Sequence, residues 1–406
     1  MPVGPKEEHL YLCRDPEGFG EPMVLPYGAA VLASMMDGRR TLAEIKTTFQ
    51  ARTEVPVALA DLEQIVRQLD EAYLLAGERF EEARGRQIES YLASPIRHTT
   101  HAGAGYAQEP DALREQIAGF FGTEKGPAPV DVTAPPSGRL GGLISPHIDL
   151  HRGGHAFAWA YKQVAEHSDA DLFVIFGTSH NPMTERFCVT RKDFETPLGT
   201  VATDQAFVDR LSAHLASSVA GRSLDLSADE LAHRFEHSIE FQAVLLQYLL
   251  GGKRDFRIVP VLTSSFQDFI AEGSQPEESL DVQAFLSALH AATGDHQGKV
   301  CYIAAADLGH IGPRFGDQWL VDAERLADQS SDDHKLLEFA CSCDPTGFFR
   351  HVAEQQDCRR ICGLAPAYIL LSLMRDVKGE LLCYDQAAEP DGSACVSFAS
   401  VAFWQR

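Results

Sequence analysis

The sequence predicts an α/β protein, a mostly parallel sheet flanked by helices, preceded by a small N-terminal winged-helix domain. Three observations lead there. Beyond residue 140, short apolar runs alternate with helical patterns, the signature of a parallel sheet covered on both faces. Four of those runs end on residues able to do chemistry. Before residue 96, three short helical patterns and one extended piece stand apart from that alternation. With 406 residues, 45% hydrophobic and 23% charged, the chain suits one large domain and one small. The expected division is 1–95, a connection with a lead-in helix over 96–140, and the large α/β domain over 141–406.

In the first segment, residues 29–36 form a short apolar helix closed by Asp37-Gly38. Thr41-Leu42-Ala43-Glu44 is a capping box, in which hydroxyl and carboxylate satisfy amides at a helix start. A further helix from near Asp61 places Leu62, Ile65, Val66 and Leu69 on one stripe. Tyr73-Leu74-Leu75 reads as a short extended piece before the charged residues 78–86. Ten Lys/Arg against sixteen Asp/Glu over 1–95 leave a balance of −6. An acidic winged helix points to a protein- or peptide-docking module rather than a DNA reader.

Residues 96–135 read as a connection around a helix over 111–121, between a Gly-rich stretch at 101–106 and a Pro-rich one at 126–138. Residues 267–281, acidic and polar, are expected as a surface loop. No internal repeat is present. The formal net charge of −23 repels phosphate backbones and anionic lipid, so nucleic acid and membrane are not expected partners. The opening MPVGPKEEHLYLC has no apolar h-region. Apolar runs such as 367–374 fall far short of the roughly 18 residues a membrane span needs. Nine cysteines, an odd number without framework spacing, read as reduced thiols. The expected location is cytoplasmic.

The chemistry collects at strand ends. Leu143-Ile144 leads into Ser145-Pro146-His147, and residues 172–176 lead into Gly177-Thr178-Ser179-His180. Residues 300–306 lead into Asp307-Leu308-Gly309-His310, and 257–262 into Thr263-Ser264-Ser265. In open α/β sheets, ligands bind outside the carboxyl ends of the strands. Cys362 precedes an apolar helix over 365–374 and follows Arg359-Arg360, features that favour thiolate over thiol. His147, His180 and Cys362 together make a two-imidazole, one-thiolate set that leaves a coordination position open. Such softness favours Cu(I), Fe or Zn over Mg or Ca.

Glu236 and Glu240, four apart at a helix start with His237 beside them, are placed to orient ligands through imidazole N–H groups. Two rivals are weaker. His233 and His237 are four apart but lack an HExxH. Cys358 and Cys362 hint at an iron–sulfur motif, whose third cysteine would fall at Ala365.

At these positions the sequence resembles the Memo family, specifically the AmmeMemoRadiSam system protein B type. The matching blocks are Ser145-Pro146-His147, Gly177-Thr178-Ser179-His180, Phe194-Glu195-Thr196-Pro197-Leu198-Gly199, 236–240, Ile258-Val259-Pro260-Val261, 307–310 and Cys362-Gly363. His101-Ala102-Gly103 to Tyr106 is similar to the family's opening motif, so the resemblance covers 98–406. It departs where Ile148-Asp149-Leu150 follows His147, where Asn181 follows His180, and in the form Asp307-Leu308-Gly309-His310. The resemblance implies a fold related to class III extradiol dioxygenases and a copper or iron ion on His147, His180 and Cys362. It places His310 as an acid/base histidine beside the ligands, with Asp307 close by.

The family name also implies radical SAM and AMMECR-type protein partners. Residues 37–45, Asp37-Gly38-Arg39-Arg40-Thr41-Leu42-Ala43-Glu44-Ile45, resemble the turn of the PqqD-like group, which docks peptides or enzyme partners. Two functions follow: a metal-dependent redox enzyme acting on O₂ or a small organic substrate, or a non-catalytic metal carrier or protein-interaction module on a dioxygenase-like fold. Fold alone does not choose between them.

Overall fold

The computed structural model describes residues 2–3, 10–15, 18–131, 136–218 and 224–405. The chain divides into two compact units, Met1–Ala93 and Ser94–Arg406. Positions 132–135 of the Pro-rich stretch, and 4–9 of the opening segment, lie outside the described residues.

In the first unit, Pro2–Val3, Leu10–Cys13 and Met23–Pro26 pair as an antiparallel sheet. Helices Tyr27–Ala33, Leu42–Thr53, Leu59–Glu71 and Glu78–Ala93 follow. Thr41 and Glu44 make the expected capping box: the Glu44 amide donates to the Thr41 hydroxyl at 3.3 Å, and the Thr41 amide donates to the Glu44 carboxylate at 2.8 Å. Leu32, Met35, Ile45, Phe49 and Leu62 form the core. The β element precedes the helices instead of following them. Residues 73–75, expected as extended, form a turn with Tyr73 at φ 57°.

The second unit is a mixed α/β structure around an eight-stranded, largely parallel sheet. Its strands are β1 (Leu140–Ser145), β2 (Leu172–Thr178), β3 (Phe187–Val189), β4 (Arg257–Thr263), β5 (Val300–Ala305), β6 (Asp307–Ile311), β7 (Val377–Ala388) and β8 (Cys395–Gln405). The order is β6-β8-β1-β5-β2-β4-β3, with β7 paired to β8. β1, β5, β2 and β4 are mutually parallel and form the centre. Strands β3, β6, β7 and β8 add antiparallel edges.

Both faces are covered, which is why the central strands read as continuous apolar runs. On one face Phe173, Ile175, Ile258 and Ile303 pack against helices Pro110–Gly122, Leu150–His167 and His237–Leu250. On the other, Leu172, Val174, Phe176, Val259 and Val261 meet helices that include Leu280–Gly294 and Leu364–Leu373. The alternation along β2 is the pleat itself, sending successive side chains to opposite cores.

Two expectations about connections are corrected. Residues 96–135 were expected as a connection outside the core around a helix over 111–121; the helix is there, Pro110–Gly122, but its Leu113, Ile117 and Phe121 join the apolar cluster, and Arg97 and Tyr106 are fully buried. Residues 267–281 are helix Gln267–Glu272, a 3₁₀ turn Pro276–Glu278 and the start of helix Leu280–Gly294. Phe269 and Ile270 anchor that segment in the core, outweighing its charged composition. Among the described residues, no helix is long and apolar enough to cross a membrane.

Close packing at the carboxyl ends depends on small residues. A Cβ on Gly177, the next-to-last residue of β2, would lie 2.6 Å from Ile239 Cγ1 and Ser238 Oγ. Gly177→Ala should therefore overpack the strand–helix contact and lower stability by about 1–3 kcal/mol in urea denaturation. Gly119, on an exposed helix surface with nothing within 4 Å, is the contrast. Gly119→Ala should hold or raise stability by up to about 1 kcal/mol, because alanine is the better helix former.

Candidate metal centre

β1, β5 and β2 are neighbours, so the loops leaving their carboxyl ends meet. His147 lies two residues beyond β1, Asp307 two beyond β5 and His180 two beyond β2. Cys362 arrives from the opposite direction, on the turn before helix Leu364–Leu373. One ligand atom each from His147, His180 and Cys362 lie within 4.8 Å of one another.

His147 is almost fully buried. Its amide donates to Asp307 Oδ1 at 2.9 Å, and its Nδ1 lies 2.9 Å from the Ala305 carbonyl. A carbonyl only accepts, so Nδ1 carries the proton and Nε2 keeps its lone pair. That Nε2 is 3.2 Å from Cys362 Sγ. Burial, reinforced by His180, pushes its pKa down to about 4, leaving the ring neutral near pH 7.

His180 is fixed by Glu236, whose carboxylate accepts the His180 amide at 2.9 Å and lies 3.0 Å from Nδ1 through either oxygen. The free nitrogen is again Nε2. Burial alone would lower the His180 pKa, but the hydrogen bond and charge of Glu236 outweigh it and raise the value. Burial likewise favours a neutral Glu236, yet the His180 hydrogen bond, with the His180 and His237 charges, holds its carboxyl well below the usual range.

Cys362 departs from expectation in one respect. Burial, followed by the Asp307 charge, pushes its thiol well above the ordinary value. The neighbouring arginines are engaged elsewhere, Arg359 with Asp333 at 2.6 Å and Arg360 with Asp317 at 2.8 Å. A bound cation, not the arginines, would have to stabilise the thiolate.

His310 holds its amide to the Arg359 carbonyl at 2.6 Å, and its Nδ1 lies 3.1 Å from the Leu308 and Arg360 carbonyls. Its Nε2 faces Cys362 Sγ at 4.0 Å. Burial lowers its pKa, opposed by Asp307. Asp307 Oδ2 is 3.6 Å from His147 Nε2, and burial raises its carboxyl, with His310 opposing. Asp307, His310 and Cys362 form a second candidate ligand group that shares the sulfur with the first.

The Glu236–Glu240 segment divides its work. Glu236 caps helix His237–Leu250 and orients His180. The His237 Nδ1 lies 3.3 Å from Glu236 Oε1, and its ring stacks on His180 at 4.7 Å between centroids and 21° between planes. Burial brings the His237 pKa down to about 3. Glu240 turns elsewhere, to Arg97, the Thr100 and His101 amides and the Tyr106 hydroxyl. His233, the rival ligand, is buried with Nε2 at 3.2 Å from the Cys188 carbonyl. Sequence reasoning missed the roles of Arg97 and the Ala305 carbonyl. Arg97 lay in a segment read as connection, and a backbone oxygen leaves no residue signal.

A cleft of about 320 Å³ opens beside the ligands, lined by Thr178, His180, Thr263, Phe266, Arg360 and Cys362. The donor set fits a metal: two imidazoles with their outer nitrogens engaged, and one sulfur converging on the same space.

The fold and site define an α/β protein with a two-His, one-Cys candidate metal centre at the carboxyl edge of its sheet. The chain belongs to the Memo family, since the model described as "Memo-like protein" matches residues 97–402. A MEMO1 family protein of Aquifex aeolicus is 26% identical over 410 residues, covering 100% of this chain and 97% of the relative. One from Methanopyrus kandleri is 28% identical over 309 residues, covering 74% and 96%. One from Methanococcoides burtonii is 32% identical over 233 residues, covering 56% and 75%.

Cys362→Ser and His180→Ala should each lose tight metal binding while the apo-protein stays folded, because both lie on loops rather than in the core. Metal analysis of purified variants, with circular dichroism alongside, checks this. Cys358→Ser, at an exposed thiol, should retain wild-type metal content.

Proposed function

We propose that the chain is a metal-dependent redox protein of the AmmeMemoRadiSam system B type, holding iron or copper on His147, His180 and Cys362. The convergence of those three ligand atoms within 4.8 Å carries the reading. Iron or copper held by these residues would supply one-electron redox chemistry; zinc would suit the donors but not electron transfer. Within this reading the protein's own residues divide the labour. Ala305 and Glu236 orient the two ligand rings through their Nδ1 atoms. His310, neutral at rest and facing the site through Nε2, accepts a proton from the substrate at that nitrogen and can return it later, while the Arg360 and Leu308 carbonyls hold its Nδ1 proton. Asp307 opposes the burial penalty on the protonated form of His310. The cleft beside Phe266 and Thr263 admits a small organic molecule or O₂.

A second reading, a metal carrier or interaction module, draws on one observation: the His180 side chain is 39% exposed, open to a ligand offered by a partner. The N-terminal unit, on its resemblance to the PqqD-like group, would then dock a peptide or a radical SAM or AMMECR-type protein. Val24 and Tyr27, more than half exposed, provide apolar contact surface there.

His310→Ala should keep its metal and lose turnover. Protein loaded anaerobically with iron or copper is exposed to O₂ with a reductant present, and equivalents consumed are counted. Many turnovers in wild type that vanish in His310→Ala support the enzyme. Stoichiometric oxidation, equal in both proteins, rejects catalytic O₂ chemistry, and loss of metal from His310→Ala would make that residue a ligand.

A further inference from the structure

Arg97 lies 139 residues before Glu236 in the chain, and its side chain has no exposed surface. A guanidinium presents five N–H donors in one rigid plane, and all five find acceptors here. Nε donates to the His233 carbonyl at 3.1 Å. Nη1 donates to the His98 carbonyl at 2.9 Å and to Glu240. Nη2 donates to the Thr100 hydroxyl at 3.0 Å and to the Glu236 carbonyl at 2.8 Å. Three of these acceptors bracket the start of helix His237–Leu250: His233 before it, Glu236 at its cap and Glu240 one turn in. One flat, saturated group therefore fixes where the helix begins and how its first turn is rotated.

That turn carries the groups next to the candidate ligands. Glu236, whose backbone Arg97 grips, holds His180 by ring and amide. Glu240, whose carboxylate Arg97 pairs, holds the His101 amide at 3.0 Å and lies 3.2 Å from the His101 ring. The His101 ring lies 5.4 Å from that of His237. We infer that Arg97 is a positioning residue for the metal centre: it sets the first turn of the helix and, through Glu236, the direction of His180 Nε2. The inference rests on the metal reading of His147, His180 and Cys362 given above.

Loss of stability alone would not test this role, because breaking any buried ion pair destabilises a fold. Geometry at saturating metal does, since a productive site tolerates only about 0.5 Å or 10–20° of misplacement. Arg97→Lys keeps a cation opposite Glu240 but has three donors and no plane, so at least two of the five acceptors go unserved. Thr100→Val removes one Arg97 acceptor, together with that hydroxyl's contacts to Glu240 at 3.1 Å and the His101 ring at 2.9 Å, and leaves the guanidinium in place, so it is the milder change.

Wild type, both variants and Gly119→Ala as a surface control are loaded with Co(II). Chelator competition reads affinity, the ligand-field and thiolate charge-transfer bands read geometry, and thermal unfolding of the apo-proteins reads stability separately. Arg97→Lys should bind Co(II) about 10–100-fold more weakly, with bands displaced even at saturation. Thr100→Val should move the bands in the same direction by less, and Gly119→Ala not at all. If Arg97→Lys does not fold, Thr100→Val decides. Folded variants with wild-type affinity and spectrum overturn the positioning role, whatever their stability. Wild type that shows no thiolate band with Co(II) overturns the metal reading itself and this inference with it.

Discussion

Glu236 has almost no exposed surface, and its carboxylate is ionised all the same. Taking a carboxylate out of water costs several kcal/mol unless partners replace the lost hydration. Here they do: the His180 amide and Nδ1, the Ser238 amide at 3.0 Å and the nearby His237 Nδ1. Each partner does structural work. Ser238 makes Glu236 the cap of helix His237–Leu250. The His180 amide ties that helix to the loop after β2. The His180 ring, with Nδ1 committed, has one nitrogen left for a ligand role. A helix start, a strand end and an imidazole tautomer thus depend on one buried charge.

The complementary constraint comes from the sheet. Because β5 lies between β1 and β2, Asp307 falls between the histidine-bearing loops and reaches the His147 amide. The Cys362 loop must then approach from the other face, and it does so at close quarters. A Cβ on Gly363 would lie 2.4 Å from the Asp307 carbonyl oxygen, so only glycine lets the loop close on the strand end. Upstream, Gln356, Asp357 and Arg360 all adopt left-handed backbone. Such conformations cost of order 1–3 kcal/mol each and persist only where surroundings impose them. Asp357 accepts the Ile361 amide at 2.7 Å, and the Arg359 and Arg360 ion pairs secure the rest. The arginines that the sequence suggested as activators of the thiol are anchors for its loop.

What the sequence made legible follows from locality. Apolar runs ending in His147, His180 and Asp307 could be read because a buried parallel strand is a contiguous signal and its carboxyl end is where ligands gather. The capping box at Thr41 and Glu44 was readable for the same reason, since all its partners lie within three residues. What escaped depends on distant pairing. Glu240 shares helical spacing with Glu236, so sequence assigned the two one role. The fold gives them different partners, because Arg97 and Tyr106 occupy the space beyond Glu240. Composition misled at 267–281, where Phe269 and Ile270 decide the packing that the acidic residues around them obscured.

The lead-in segment shows why such misreadings matter for what counts as the domain. Glycine and proline made 96–135 look like tether, yet its first buried side chain is a cation sealed opposite a fully buried carboxylate. Neither charge is tolerable alone. A sheet domain beginning near residue 141 would leave Glu240 buried without its counter-charge, at a cost of about 3–5 kcal/mol by analogy with broken buried pairs. The family match begins at residue 97 itself, the position of that cation. The physical unit therefore starts where the charge balance closes rather than where the first central strand appears. Helix His237–Leu250 belongs to a fold that needs its preceding segment to bury Glu240 at all.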